Sequence, residues 1–209
     1  MFNRRDKIIK KAGEKPTDLE EEVAKTLGQL KVDDKTQEAS LNIIFINGVS
    51  NVEYEQADGS SAQYLLVRIP HRSHGAFKKV GSLVQEHLEK KYQKPVLVVA
   101  NRTIISPGAK HHPSQMRPRS RTLTAVNLEI LNDVCFPSNI TGKSIRVTLD
   151  GKKHEKVQLD PLDKDAMENK LDAIMHCYHK LTTHKIALGF SKPNSFQQKI
   201  LQQRNKDSK

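Results

Sequence analysis

Twice along this chain an Asp-Gly pair separates two segments rich in β-branched residues, and each time a helical pattern follows. Asp-Gly accepts the left-handed backbone that a tight hairpin turn requires, so both places predict antiparallel strand pairs. In the first, residues 43–55 (IIFINGVSNVEYE) form a strand bulged at Gly48, Asp58-Gly59 turns, and residues 62–69 return until Pro70. In the second, residues 143–149 (KSIRVTL) alternate polar with apolar, Asp150-Gly151 turns, and residues 156–160 return. Two further apolar segments, 96–100 (VLVVA) and 185–190, predict short strands.

Between and around the strands the apolar spacing changes to that of helices. Thr17 followed by Glu20 makes a capping box, which predicts a helix whose buried side carries Leu19, Val23, Leu27 and Leu30. A short helix is expected at 34–41. Residues 73–91 predict a long one with Phe77, Val80, Val84 and Leu88 on one face. Residues 122–134 predict another, with Leu123, Val126, Ile130, Leu131 and Val134 inward, and residues 161–181 a last one facing the core through Leu162, Met167, Leu171, Ile174, Tyr178 and Leu181. The sum is an α+β fold, with a mostly antiparallel sheet, helices packed against it, a basic loop and basic terminal tails. No segment of sequence repeats. A basic arm (1–15) precedes a single domain (16–190), which could divide into halves 16–107 and 121–190 joined by the loop 108–120. A polar, basic tail (191–209) follows, read as a frayed helix or disorder.

Charge sets the partner class. There are 35 Lys and Arg against 24 Asp and Glu, a formal charge of +11. The excess is uneven: no acidic residue occurs between Glu89 and Glu129. Such an asymmetry suits a polyanion, because each phosphate neutralised releases condensed counterions. Within the gap, residues 101–121 lack periodicity and hold Pro107, Gly108, Pro113 and Pro118. A loop that long inside a compact domain is usually functional or disordered. It ends in Arg117-Pro118-Arg119-Ser120-Arg121, where proline stiffening would hold the arginines splayed for forked contacts to phosphate, and Ser120 or Thr122 would cap the next helix. The candidate RNA-binding residues are therefore Arg117, Arg119, Arg121, Arg102, Lys110, His111 and His112.

Other chemistries leave no signature. The glycines are scattered, without a phosphate-cradling loop ending in Lys-Ser/Thr, and no nucleophile elbow or triad context appears. Aromatics form 5% of the chain and none lies in the pattern of a base-stacking RNA recognition motif, which favours reading RNA by shape and backbone. His176, Cys177, His179 and His184 cluster in sequence, but 176 and 177 point to different helix faces and no cysteine pair accompanies them. We expect no enzyme activity, metal, cofactor or small-molecule substrate. Two cysteines (Cys135, Cys177) suit a reducing compartment, and no apolar run is of bilayer length, so a soluble intracellular chain is expected with no membrane partner.

Several stretches also resemble a known family: GEKP at 13–16, LEKKY at 88–92, RPRSRTLTAV at 117–126, FPSNITGKSIRVTLDG at 136–151, KVQLD at 156–160 and HKLTT at 179–183. In this order they resemble the S-seven-e family of eukaryotic small-subunit ribosomal proteins, over about residues 1–190. The resemblance implies a structural constituent of the 40S subunit that packs on 18S-type rRNA and neighbouring ribosomal proteins. It also implies a part in subunit assembly and rRNA maturation, contact with assembly factors, and residence on cytoplasmic ribosomes after nucleolar transit. By position it makes Arg117, Arg119 and Arg121 RNA-facing, with Lys143 and Arg146 as neighbours. The chain departs from the family at 103–116, where only Lys110, His111 and His112 stand in a loop elsewhere crowded with Lys and Arg, and in its longer tail after Ser191. A free RNA- or chromatin-binding protein shares the same charge features and is the alternative; sedimentation with subunits separates the two.

Overall fold

The computed structural model describes residues 7–10, 13–30, 34–56, 59–106, 108–109 and 118–207. They form an α+β protein with two three-stranded sheets, and the chain divides into two compact units, Met1–Phe136 and Pro137–Lys209. The division falls one helix later than the loop at 108–120.

In the first unit α1 (Asp18–Gln29) and α2 (Lys35–Asn42) precede a hairpin of β1 (Gly48–Glu55) and β2 (Ser61–Pro70). The long α3 (His71–Tyr92) then leads into β3 (Val96–Asn101), and α4 (Leu123–Cys135) packs against β3. β1 and β2 are antiparallel; β3 lies beside β2 and parallel to it. One face of this sheet buries Leu65, Val67, Ile69, Val98 and Ala100 in a core with Val23, Leu27, Leu41, Phe77, Val80, Val84 and Leu88 from the helices. On the other face Val52, Tyr54, Tyr64, Leu66, Leu97 and Val99 are buried as well. That near-continuous apolar content marks strands buried on both sides, which is why 96–100 showed no alternation.

β1 starts at Gly48, later than its apolar run suggests. Ile44 and Ile46 are core residues outside the strand, and Ile46 makes a parallel bridge with Ile8 of the N-terminal arm. Its N–H donates to Lys7 O (2.8 Å) and its carbonyl accepts from Ile9 N–H (2.8 Å), so this part of the arm is tied down. The capping glutamate completes the anchor. Glu20 accepts from Thr17 N–H (3.0 Å), Lys10 Nζ (2.7 Å) and Val49 N–H (3.3 Å), joining arm, α1 and β1. Burial pushes its carboxyl up, but these partners outweigh burial and hold it below the usual carboxylate range. Gly81 of α3 fills a different need. A Cβ there would lie 2.7 Å from the Phe136 ring and 2.9 Å from that of Phe77, which pack on each other with centroids 5.5 Å apart.

The second unit repeats the order hairpin, helix, parallel strand, although its sequence does not repeat. β4 (Ile140–Val147) and β5 (Lys153–Leu159) are antiparallel, with a bulge between Ile140 and Gly142. Their turn places Gly151 at φ 77°. β6 (Ile186–Phe190) runs parallel to β5 and α6 (Leu171–Thr182) packs against it. The helix expected at 161–181 is segmented. Asp160 accepts from Leu162 N–H (3.1 Å) and opens a 3-10 turn; the four-residue α5 (Lys164–Met167) and a second 3-10 turn precede α6. Asp163, Asp165 and Asn169 favour turns over helix interiors, which accounts for the breaks. The tail residues Ser195–Asp207 form α7, where Gln197 donates to Asp160 Oδ1 (3.3 Å) and Arg204 to Leu162 O (3.0 Å). No helix among the described residues is long and apolar enough to cross a membrane.

Candidate nucleic-acid interface

Where proline stiffening was expected to splay the arginines, residues 119–121 make a turn. Arg119–Arg121 forms one 3-10 turn between Pro118 and α4, with Arg119, Ser120 and Arg121 all exposed. Its base is fastened to the segment that follows β3. Ile105 N–H donates to Arg121 O (2.9 Å), and Arg121 Nη2 donates to Thr103 Oγ1 (2.9 Å). Thr122 occupies the N-cap position of α4, but its hydroxyl donates back to Arg119 O (2.7 Å), and Ser120 makes no cap contact. A rigid base thus presents exposed guanidinium groups beside the N-terminus of a helix, an arrangement that favours anions. Arg117, Lys110, His111 and His112 lie outside the described residues.

Arg102 has a different environment. Its side chain is 7% exposed, and both Nη atoms reach the Asp133 carboxylate, Nη2 at 3.0 Å from Oδ1 and Nη1 on Oδ2. Glu129 Oε2 lies 3.6 Å away. Asp133, with a 1% exposed side chain, also meets His74 Nε2 (2.8 Å) and accepts from Ala100 N–H (3.1 Å). Burial raises its carboxyl, yet hydrogen bonds from His74, Arg102 and Ala100 and the Arg102 charge outweigh burial and hold it below the ordinary range. This tie joins the first turn of α3, the end of β3 and the last turn of α4. Sequence reading found Arg102 from its charge and missed His74 and Asp133, since nothing in local spacing pairs residues 31 positions apart.

In the second unit, Lys143 and Arg146 are on opposite faces of β4. The register sets Lys143 opposite Val157 and Arg146 opposite His154. The inner face carries the buried Glu155, Val157 and Leu159 of β5, and Lys143 Nζ reaches Glu155 Oε2 there at 2.9 Å. His184 Nδ1 lies 3.8 Å from Glu155 Oε1. Arg146 belongs to the open face with Ser144, His154, Lys156, Gln158 and Ala187, every one exposed. His154 and Lys156 were missed by the sequence reading, though the alternation that buries Val157 and Leu159 turns their neighbours outward.

Little else gathers reactive groups. A cavity of about 490 Å³ beside the start of β1 is lined by Lys10, Glu14, Glu20, Asn47, Arg68 and Asn101 among others, and its buried acid, Glu20, is already engaged by three donors. Among the described residues no three His, Cys, Asp or Glu side chains are grouped to hold a metal ion. Cys135 and Cys177 are buried and not disulfide-bonded, and burial pushes the Cys135 thiol up to about 12.

Comparison with known proteins assigns this architecture. Residues 7–190 match the family described as Ribosomal protein S7e. Small ribosomal subunit protein eS7 of Avicennia marina is 36% identical over 191 residues, covering 91% of this chain and 98% of its own length. That of Schizosaccharomyces pombe is 36% identical over 187 residues (88% and 94%), and eS7B of Saccharomyces cerevisiae 35% over 188 (89% and 95%). Similarity of that extent, running through both units and including the arginine turn of the first, makes the chain a member of the ribosomal protein S7e family.

Proposed function

We propose that this protein is a non-catalytic structural constituent of the small ribosomal subunit that grips 18S-type rRNA through basic surface. The observation that carries the reading is the Arg119–Arg121 turn: exposed, fastened at its base, and set in a stretch of 39 residues, between Glu89 and Glu129, that has no carboxylate. Fixed cations without competing acids suit phosphate contacts, which position a protein on RNA without reading its sequence. Relatives named as small-subunit proteins supply the particle in which such a contact would serve. In this reading Arg117, Lys110, His111 and His112 extend the same contact, and Arg146 makes a contact of its own in the second unit. Arg102 supports the turn from beneath through Asp133, and Lys143 serves the fold through Glu155. Neighbouring ribosomal proteins and assembly factors would be the protein partners, with nucleolar assembly preceding cytoplasmic residence.

Sedimentation of the tagged chain tests the proposal. The unaltered protein should travel with small subunits and withstand moderate salt. Reversing Arg117, Arg119 and Arg121 to Glu should leave it near the top of the gradient, because several phosphate contacts are lost together. Normal entry of that triple variant into mature subunits would refute the arginine assignment. An unaltered chain that stays in the free pool would instead favour an RNA- or chromatin-binding protein outside the ribosome.

A further inference from the structure

We propose that the open face of the β4–β5–β6 sheet is a second RNA-docking surface, shaped for the backbone of double-helical RNA; it rests on the ribosomal reading above. The three strands contain a single carboxylate, Glu155, and it points to the inner face, where Lys143 holds it at 2.9 Å. The open face keeps the cations Arg146, opposite His154, and Lys156, opposite Ser144, and Lys185 is exposed just before β6. The inner side also carries Lys143 and Lys153, so what distinguishes the open face is that it bears cations and no carboxylate. A polyanion is repelled by any carboxylate left on the surface it meets.

The kind of RNA follows from what else the face holds. Its one aromatic ring is the His154 imidazole; Phe190 pairs with Leu159 and belongs to the inner side. A single imidazole gives no series of platforms for stacking successive unpaired bases, which sheet-based readers of single strands use. Instead Ser144, Gln158 and His154 offer hydroxyl, amide and imidazole groups among the cations, suited to 2′-hydroxyls and phosphates. On β6, Ala187 stands opposite Lys156 and Gly189 opposite Gln158, so that edge of the face rises little above the backbone. A low, polar, cationic surface matches the wide and shallow minor groove of an RNA helix, where 2′-hydroxyls lie between two rows of phosphates.

A tethered cleavage experiment on the full chain tests this. Cys135 and Cys177 are both 0% exposed, so a new surface thiol can be labelled selectively. Ser144→Cys places an iron chelate on the open face, and Ser120→Cys places one on the arginine turn. After incorporation into small subunits, the Ser144 tether should cut both strands of one rRNA helix. Cuts from Ser120 with none from Ser144, or Ser144 cuts confined to single-stranded RNA, would overturn the docking surface while sparing the ribosomal reading. Failure of the unlabelled wild-type chain to enter subunits would overturn that reading itself. As a check independent of the label, Arg146→Glu with Lys156→Glu should lower the slope of log affinity for an rRNA duplex against log salt by about two, one ion per lost phosphate contact; an unchanged slope would count equally against the proposal.

Discussion

The two units follow one strand order and treat their sheets in opposite ways. In the first, β2 and β3 bury apolar side chains on both faces; in the second, β5 buries one face and turns the cationic and polar residues of the other to solvent, and Ile145 and Val147 of β4 are exposed. The middle strands make the contrast plain. β2 reads Tyr64-Leu65-Leu66-Val67, all buried, whereas β5 alternates buried Glu155, Val157 and Leu159 with exposed His154, Lys156 and Gln158. Topology alone therefore does not determine which surface is available to a partner; the polarity of alternate residues does. The first unit presents an exposed arginine turn ahead of α4, while the second leaves a strand face open to solvent.

Matched substitutions on the two middle strands should break this comparison if it is wrong. The largest effect is expected from Leu66→Lys, which buries an unpaired charge in the first sheet. It should cost more than about 4 kcal/mol and leave little folded protein in a urea titration. Asp133→Ala comes next. Removing one partner of a buried pair leaves Arg102 stranded, at a cost of about 3–5 kcal/mol in the same titration. The pH dependence follows from the depressed Asp133 carboxyl. Its contribution is complete above the ordinary aspartate pKa of about 4 and fades as pH falls through the lower folded value. Acid unfolding of the wild type should therefore be steeper below that pH than that of the Asp133→Ala variant.

A smaller loss is expected for Gly81→Ala, where the new methyl meets the rings of Phe77 and Phe136; overpacking costs about 1–3 kcal/mol, only partly offset by better helix propensity. The smallest effect belongs to Lys156→Leu, the second unit's counterpart of Leu66. On an open face it should change stability by no more than about 0.5 kcal/mol while weakening association with the subunit. A large loss of stability there would show that the second sheet is not open in the folded chain.

Much of the fold was legible because its signals are local. The Asp-Gly turn at 150–151, the apolar face of α3 and the Thr17–Glu20 pair each fix an element within a few residues. The breaks in 161–181 were not, since apolar spacing continues across turns made by Asp160 and its neighbours. The third strand of each sheet was found, but not its parallel pairing, because register across a helix leaves no trace in local spacing. The candidate site divides in the same way. Arg119 and Arg121 stand out from charge and sequence context alone. The different fate of Arg102, and the opposite orientations of Lys143 and Arg146, depend on Asp133 and Glu155, distant or across-strand partners that only the fold brings near.

The account is tested most directly by electron cryo-microscopy of small subunits purified from cells that make this chain. It predicts rRNA phosphates at hydrogen-bonding distance, about 3 Å, from the Arg119 and Arg121 guanidinium groups, with Arg102 still closed on Asp133. A map with the protein in place and those two arginines facing open solvent would contradict it.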